Sequence, residues 1–191
     1  YAIEFRRLLA DTDLQVPSFE QGLQRYCDRW WKIDRAYRLF IVNSLRYQQT
    51  GLLKDLSSWI EKQYVNNFLL PLTNKWSDQV RKLSEWKSAS LPSQQLFHMN
   101  FVHATLSSKR NKRIFVVISD AMRYEVAHDF TNRFNSEAGN SWSADVEAML
   151  GALPSFTQVG MAALLPGNKR SFDPVGETVF IDGQSTKGTE N

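Results

Sequence analysis

The hydrophobic pattern changes period once along this chain, and that change limits what the chain can fold into. Apolar residues first recur in steps of three and four, at Phe19, Leu23, Tyr26, Trp30, Ile33, Tyr37 and Phe40, then, shifted by one residue, at Leu45. Such steps trace one face of an α-helix. From Ile114 the chain instead runs Ile-Phe-Val-Val-Ile to Ile118 without a polar break. An uninterrupted β-branched and aromatic run suits a central parallel strand buried on both faces. The expected organisation is an all-α helical region over residues 1–108, followed by an α/β region over 109–191.

The helical region has readable punctuation. Ser18-Phe19-Glu20-Gln21 fits a capping box at a helix start. Gly51 falls where that helix should stop. A second helix follows with Leu52, Leu56, Trp59, Ile60, Tyr64 and Phe68, and Pro71 should kink or break it. Leu72, Trp76, Val80 and Leu83 continue the periodicity, Ser88–Ser93 reads as a loop, and Leu96–Leu106 as one more helix. The Trp and Tyr residues invite a base-stacking reading, but their helical spacing predicts core packing instead. His98 and His103 lie five apart, a poor helical spacing for shared metal ligation.

The second region alternates. After the run to Ile118, helical pattern resumes at Met122 and continues through Val126, Phe130 and Phe134. Ser143–Met149 is a candidate strand, Gly151–Phe156 a turn, Thr157–Leu165 a short helix closed by Pro166-Gly167, and Thr178–Asp182 a third strand ended by Gly183. Strand, helix, strand, helix, strand indicates a right-handed α/β unit with parallel strands.

Composition narrows the rest. Hydrophobic residues at 42% and aromatics at 13% suffice for a core. Lys and Arg total 23 against 20 Asp and Glu, so the excess permits nucleic-acid contact without arguing for it. The cluster Lys109–Arg113 reads as a solvated turn ahead of a strand. Cys27 is the single cysteine, which excludes an internal disulfide and a cysteine-based zinc site. An inert core thiol in a reducing, cytoplasmic compartment is expected. No apolar stretch approaches the roughly 18 residues that would span a bilayer, so no membrane partner is expected. The chain starts at Tyr1 inside an amphipathic run and stops just after a Gly-rich loop, as a piece of a longer protein would.

Two residues carry the chemistry. In an open α/β sheet, ligands bind at the carboxyl ends of the strands. Asp120 sits at that end of the first strand, and Thr157 follows the second strand at the start of a helix. A carboxylate binds a divalent cation through oxygen, and coordination to that cation would activate an otherwise weak threonine nucleophile. The helix start behind Thr157 favours an anion. Alternatives stay open: a strand-end aspartate is often a plain helix cap, and Thr157 can cap its own helix.

The segment Val116-Val117-Ile118-Ser119-Asp120-Ala121-Met122-Arg123-Tyr124-Glu125-Val126-Ala127 closely resembles the opening motif of the PglZ family, a branch of the alkaline phosphatase superfamily. Leu153 through Pro166 resembles that family's nucleophile segment, and Tyr26–Phe40 resembles the aromatic-rich helical region ahead of its catalytic core. In related phosphodiesterases and sulfatases the nucleophile precedes a helix-ending glycine by ten positions, as Thr157 precedes Gly167; Ser155 stands twelve before it. The resemblance implies an alkaline-phosphatase-like core fragment in a BREX-type phage-defence system. It implies a pair of divalent metals, usually zinc, with manganese or magnesium as alternatives. It implies a metal-dependent phosphodiesterase or nuclease, with phosphatase activity as a variant. Asp120 carries over as metal ligand, and Thr157 as nucleophile and metal ligand. The partners implied are a phosphate ester, nucleic acid among the candidates, and other BREX proteins. Arg123 could orient a phosphate or anchor its helix, with anchoring favoured; His128, two helical turns past Asp120, is a poor ligand candidate.

The superfamily's other Asp and His ligands come from loops well beyond the nucleophile, whereas this chain stops 34 residues after Thr157. Residues 1–191 are therefore expected to be catalytically incomplete by themselves. Two functional readings follow: the first part of a metal-dependent phosphoesterase, or a vestigial docking component of a defence complex. Retention of both Asp120 and Thr157 favours the enzyme.

Overall fold

The computed structural model describes residues 1–46, 51–108, 113–137, 139–173 and 178–187. They form two compact units, each discontinuous or composite in sequence: Tyr1–Trp86 with Arg123–Val146, and Lys87–Met122 with Glu147–Asn191. Among the described residues, no helix is long and apolar enough to cross a membrane.

The first unit is helical. It contains α1 (Ala2–Ala10), α2 (Phe19–Arg25), α3 (Trp31–Arg46), α4 (Gly51–Tyr64), α5 (Leu70–Val80) and α7 (Tyr124–Glu137). Ser18 caps α2, its hydroxyl accepting from the Gln21 N–H at 3.2 Å, as the capping box predicts. The stop expected at Gly51 is not seen there, since Gly51 itself opens α4; residues 47–50 lie outside the described residues. Two π-helical turns interrupt the helices, Tyr26–Trp30 between α2 and α3 and Val65–Leu69 between α4 and α5. The second comes just ahead of Pro71. The wider turn, with Leu70 N–H bonding to Val65 C=O, lets the chain pass the proline without ending the helical run.

The core of this unit joins Phe5, Trp30, Ile33, Ala36, Phe40, Ile60, Tyr64 and Phe68. Most of the helix-face aromatics pack rather than present themselves to a ligand: Tyr37 stacks on Tyr64 at 3.8 Å between ring centres, and Phe19 on Trp76 at 5.0 Å. Gly22 is required by this packing, because a β-carbon there would meet Trp76 and Val16 at 2.9 Å. Burial pushes the Cys27 thiol up from its ordinary value, in keeping with an inert thiol.

α7 is held to the other helices by charge. Glu125 is fully buried, and Asp34 is nearly so. The Asp34 carboxylate accepts from the hydroxyls of Tyr26 at 2.6 Å and Tyr64 at 2.7 Å. Burial first, then the Asp34 charge and hydrogen bond, raise both phenols well above their ordinary value, so both stay protonated donors. Glu125 faces the guanidinium groups of Arg123 at 3.0 Å and Arg38 at 3.6 Å, as charge pairs without hydrogen-bond geometry. Asp129 accepts from Arg35 and Arg38, each at 2.5 Å. Burial by itself would raise the Asp129 carboxyl; the hydrogen bonds and charges of the two arginines outweigh it and hold it below the usual carboxylate range.

The second unit contains α6 (Ala104–Ser108), α8 (Thr157–Ala163), β1 (Arg170–Phe172), β2 (Val179–Ile181) and β3 (Gln184–Ser185). The helix expected at Leu96–Leu106 is present as a mixed run, 3₁₀ over Gln94–Leu96, π over His98–His103, then α6. The expected third strand is β2, but its sheet is antiparallel, in the order β1-β2-β3. Asp182 and Gly183, both at positive φ, form the two-residue turn between β2 and β3. Gly167 adopts φ +146, and a β-carbon there would lie 2.0 Å from Ile181.

The parallel strands expected at Ile114–Ile118 and Ser143–Met149 are not formed among the described residues. Phe115 and Val117 are 85% and 91% exposed. A strand apolar on both faces needs ladder partners and covering layers, and here nothing described pairs with residues 113–119. Among the described residues, the one parallel pairing is the isolated bridge between Ser93 and Leu150.

Replacing Glu125 by Ala should cost about 2–4 kcal/mol, the usual loss for breaking a buried pair, discounted because Arg123 is half in solvent. Asp78→Ala, at the exposed pair with Arg81, should change stability by less than about 0.5 kcal/mol. Denaturant titration of the two variants checks this. Because the Asp129 pKa is lowered by folding, its contribution is present above about pH 4 and lost as pH falls through the lowered value. Asp129→Asn should therefore lower thermal stability at neutral pH and flatten its decline in acid, as read by melting curves across pH.

Candidate functional site

The apolar run from Ile114 ends at Ser119, and the chain turns at Asp120 and Ala121. Ala121 has φ +53, a left-handed conformation that costs a non-glycine residue about 1 kcal/mol or more. The turn leaves Asp120 exposed.

α8 explains where Thr157 points. Val159, Ala162 and Ala163 are buried, and Val159 and Ala162 pack against Val179 and Ile181 of β2. Thr157 lies on the opposite, exposed side. The cap position is Phe156, in extended conformation, with no side-chain cap bond. Thr157 is thus the first helical residue, and its hydroxyl is free for another partner. It donates to Asp120 Oδ2 at 2.9 Å. Two residues 37 apart in sequence meet at hydrogen-bond distance within one unit. Neither acts as the helix cap that each could have been. Ser155 is exposed, and no hydrogen bond joins it to this pair.

The remaining candidates go elsewhere. His98 has its Nδ1 buried without a partner, and His103 is exposed. His128 belongs to the first unit, where its ring stacks on Trp31 at 4.1 Å and meets the Tyr124 edge at 4.7 Å. Burial lowers its pKa from the ordinary value, against the opposing charge of Asp129. Arg123 pairs with Glu125 and lies 3.5 Å from Asp34, an anchoring geometry. The cluster Lys109–Arg113 lies, but for Arg113, outside the described residues.

Two residues that sequence patterns did not single out brace α8. Gln94 donates from Nε2 to the Gly160 carbonyl at 3.1 Å and accepts at Oε1 from the Ala152 N–H at 3.0 Å. Arg170 reaches Gln95 and the Leu165 carbonyl, each at 3.4 Å. No local pattern announces such contacts, because they join segments 58 to 75 residues apart or depend on where a short helix ends.

Asp120 and Thr157 offer two adjacent oxygen donors, a donor set that suits part of the sphere of a hard or borderline divalent cation. Among the described residues, no group of three or more His, Cys, Asp or Glu could complete it.

Comparison with known proteins agrees with the motifs. The family model described as the BREX system PglZ alkaline phosphatase-like domain matches residues 97–191. The chain is 38% identical over 172 residues to the alkaline phosphatase-like protein BrxZ of Escherichia coli O9:H4 (strain HS), covering 87% of this chain and 20% of that protein. It is 37% identical over 168 residues to the alkaline phosphatase-like protein PglZ of Bacillus cereus (strain H3081.97), covering 87% of this chain and 19% of that one. The chain thus spans about a fifth of the length of the curated relatives it matches. No solved structure matches. With both motifs in place, the hydroxyl and carboxylate they contribute in contact, and this similarity running through most of its length, the chain belongs to the PglZ family of BREX alkaline phosphatase-like proteins.

Proposed function

We propose that this chain contributes the nucleophile segment of a metal-dependent phosphoesterase, most simply a phosphodiesterase, working with other BREX proteins. The observation that carries the reading is the 2.9 Å contact between Thr157 Oγ1 and Asp120 Oδ2. A hydroxyl that donates to a carboxylate has its lone pairs directed away from it, toward an incoming phosphorus. In the reaction Oγ1 forms the new bond to phosphorus, the bond to the leaving alkoxide breaks, and the hydroxyl proton passes to Asp120 or to solvent. Water then attacks the phosphorus of the resulting threonyl phosphate ester, the P–Oγ1 bond breaks, the hydroxyl regains a proton, and the remaining phosphate monoester leaves.

Asp120 and Thr157 would hold one divalent cation of a pair, zinc in the first instance. When bound, such a cation supplies Lewis acidity to the phosphoryl oxygens and lowers the pKa of the hydroxyl. The further ligands would come from parts of the parent protein outside these 191 residues. In this reading Ile114–Ile118 is a strand of a parallel sheet that those parts complete, and the exposure of Phe115 and Val117 supports it. That exposed run also suits the second reading, a docking component without turnover.

The test uses the complete parent protein, stripped of metal and resupplied with zinc or manganese, with bis-p-nitrophenyl phosphate as substrate. Metal-dependent hydrolysis is expected, and Thr157→Ala and Asp120→Ala should each lower kcat/KM by more than about 100-fold. A folded, metal-binding parent without turnover would give way to the docking reading, and turnover that survives Thr157→Ala would remove Thr157 as the nucleophile.

A further inference from the structure

The hydroxyl of Thr157 can be useful only if the turn that presents it is fixed, and the residue that fixes it lies outside both motifs. The backbone of Gln94 is itself held: its N–H donates to the Leu150 carbonyl at 2.9 Å, while the Leu150 N–H donates to Pro92 at 2.9 Å. From that base its side chain meets Ala152 ahead of Thr157 and Gly160 behind it. A primary amide is the side-chain group that offers a strong donor and a strong acceptor on one planar head. α8 creates the need for both. It ends at Ala163, and the Leu164 N–H turns to Met161 instead of reaching back to Gly160. The Gly160 carbonyl would otherwise be one of the orphaned acceptors at a helix end.

We propose that Gln94 is a positioning residue for Thr157, its amide clamping together the loop before the nucleophile and the first turn of the helix behind it. This rests on the reading of Thr157 as nucleophile. Gln94 touches neither Thr157 nor Asp120 by any hydrogen bond among the described residues, so it acts through the segment it closes. A displacement of about 1 Å in a reacting group costs on the order of 100-fold in rate.

The experiment compares the complete parent protein with its Gln94→Ala, Gln94→Glu and Thr157→Ala variants, by bis-p-nitrophenyl phosphate kinetics with zinc and by amide hydrogen exchange over residues 151–165. Gln94→Ala should lower kcat by about 10- to 100-fold with KM within about threefold, and should speed exchange in that segment. Gln94→Glu keeps the acceptor for Ala152 and loses the donor for Gly160. It should be impaired at neutral pH and regain activity relative to the unmodified parent as the new carboxyl protonates near pH 4–5, which a general loss of stability would not produce. Should Gln94→Ala fail to fold, the pH profile of Gln94→Glu decides. Unchanged exchange in Gln94→Ala overturns the clamp whether or not turnover is seen. Unchanged kcat in Gln94→Ala, with turnover abolished in Thr157→Ala, overturns the positioning role and leaves the nucleophile standing. Turnover that survives Thr157→Ala overturns the nucleophile reading, and the positioning role with it.

Discussion

Two carboxylates stand inside the helical unit, and much of its architecture answers to them. Removing an ionised carboxylate from water costs several kcal/mol unless the protein replaces what water supplied. Asp34 is repaid with two phenol hydroxyls, Glu125 with two guanidinium groups. Those partners come from α3, from the neighbouring helical turns and from the start of α7. Arg35 and Arg38 extend the arrangement to Asp129, one helical turn after Glu125. Apolar contacts alone would let α7 slide or rotate at little cost; charges that must meet admit one register. The segment Arg123–Val146 therefore folds with Tyr1–Trp86 although 36 residues separate them in sequence.

In the other unit, meaning comes from the choice a hydroxyl makes. A threonine at a helix start ordinarily satisfies the helix's own N–H groups. Here Phe156 takes the cap position and Thr157 turns outward to Asp120. The strained backbone at Ala121 stands beside the same carboxylate. Local energy has been given up at both ends of one contact, a pattern in keeping with the function proposed for it.

What could be read from residue order follows the range of the interactions. The helices of the first unit were legible, because an apolar face every three or four residues is a local signal. So was the helix start at Thr157, which follows from a short pattern; the strand expected to end at Asp120 is not formed among the described residues. The run Ile114–Ile118 was not: a strand is defined by its partners, and no described residue pairs with it. The hairpin at Asp182-Gly183 carried a recognisable turn signal that a reading for parallel strands passed over. The π turns had no signal beyond Pro71. The Gln94 bridge had none at all, because a lone glutamine after a loop looks like any surface glutamine.

The discontinuity of the helical unit also sets an order of events in time. Asp129 is made 94 residues after Arg35 and 91 after Arg38. At ribosomal rates of about 5–20 residues per second, that is a wait of roughly 5–20 s. Through that interval Arg38 lacks both of its counter-charges, Glu125 and Asp129, while Arg35 already has Glu4 at 3.5 Å. Tyr26 and Tyr64 are already present to shelter Asp34, so the early helices can close around one acid while the surface awaiting α7 stays hydrated and positive. The helical unit is thus completed by an electrostatic capture, in which a late helix is drawn onto an early platform.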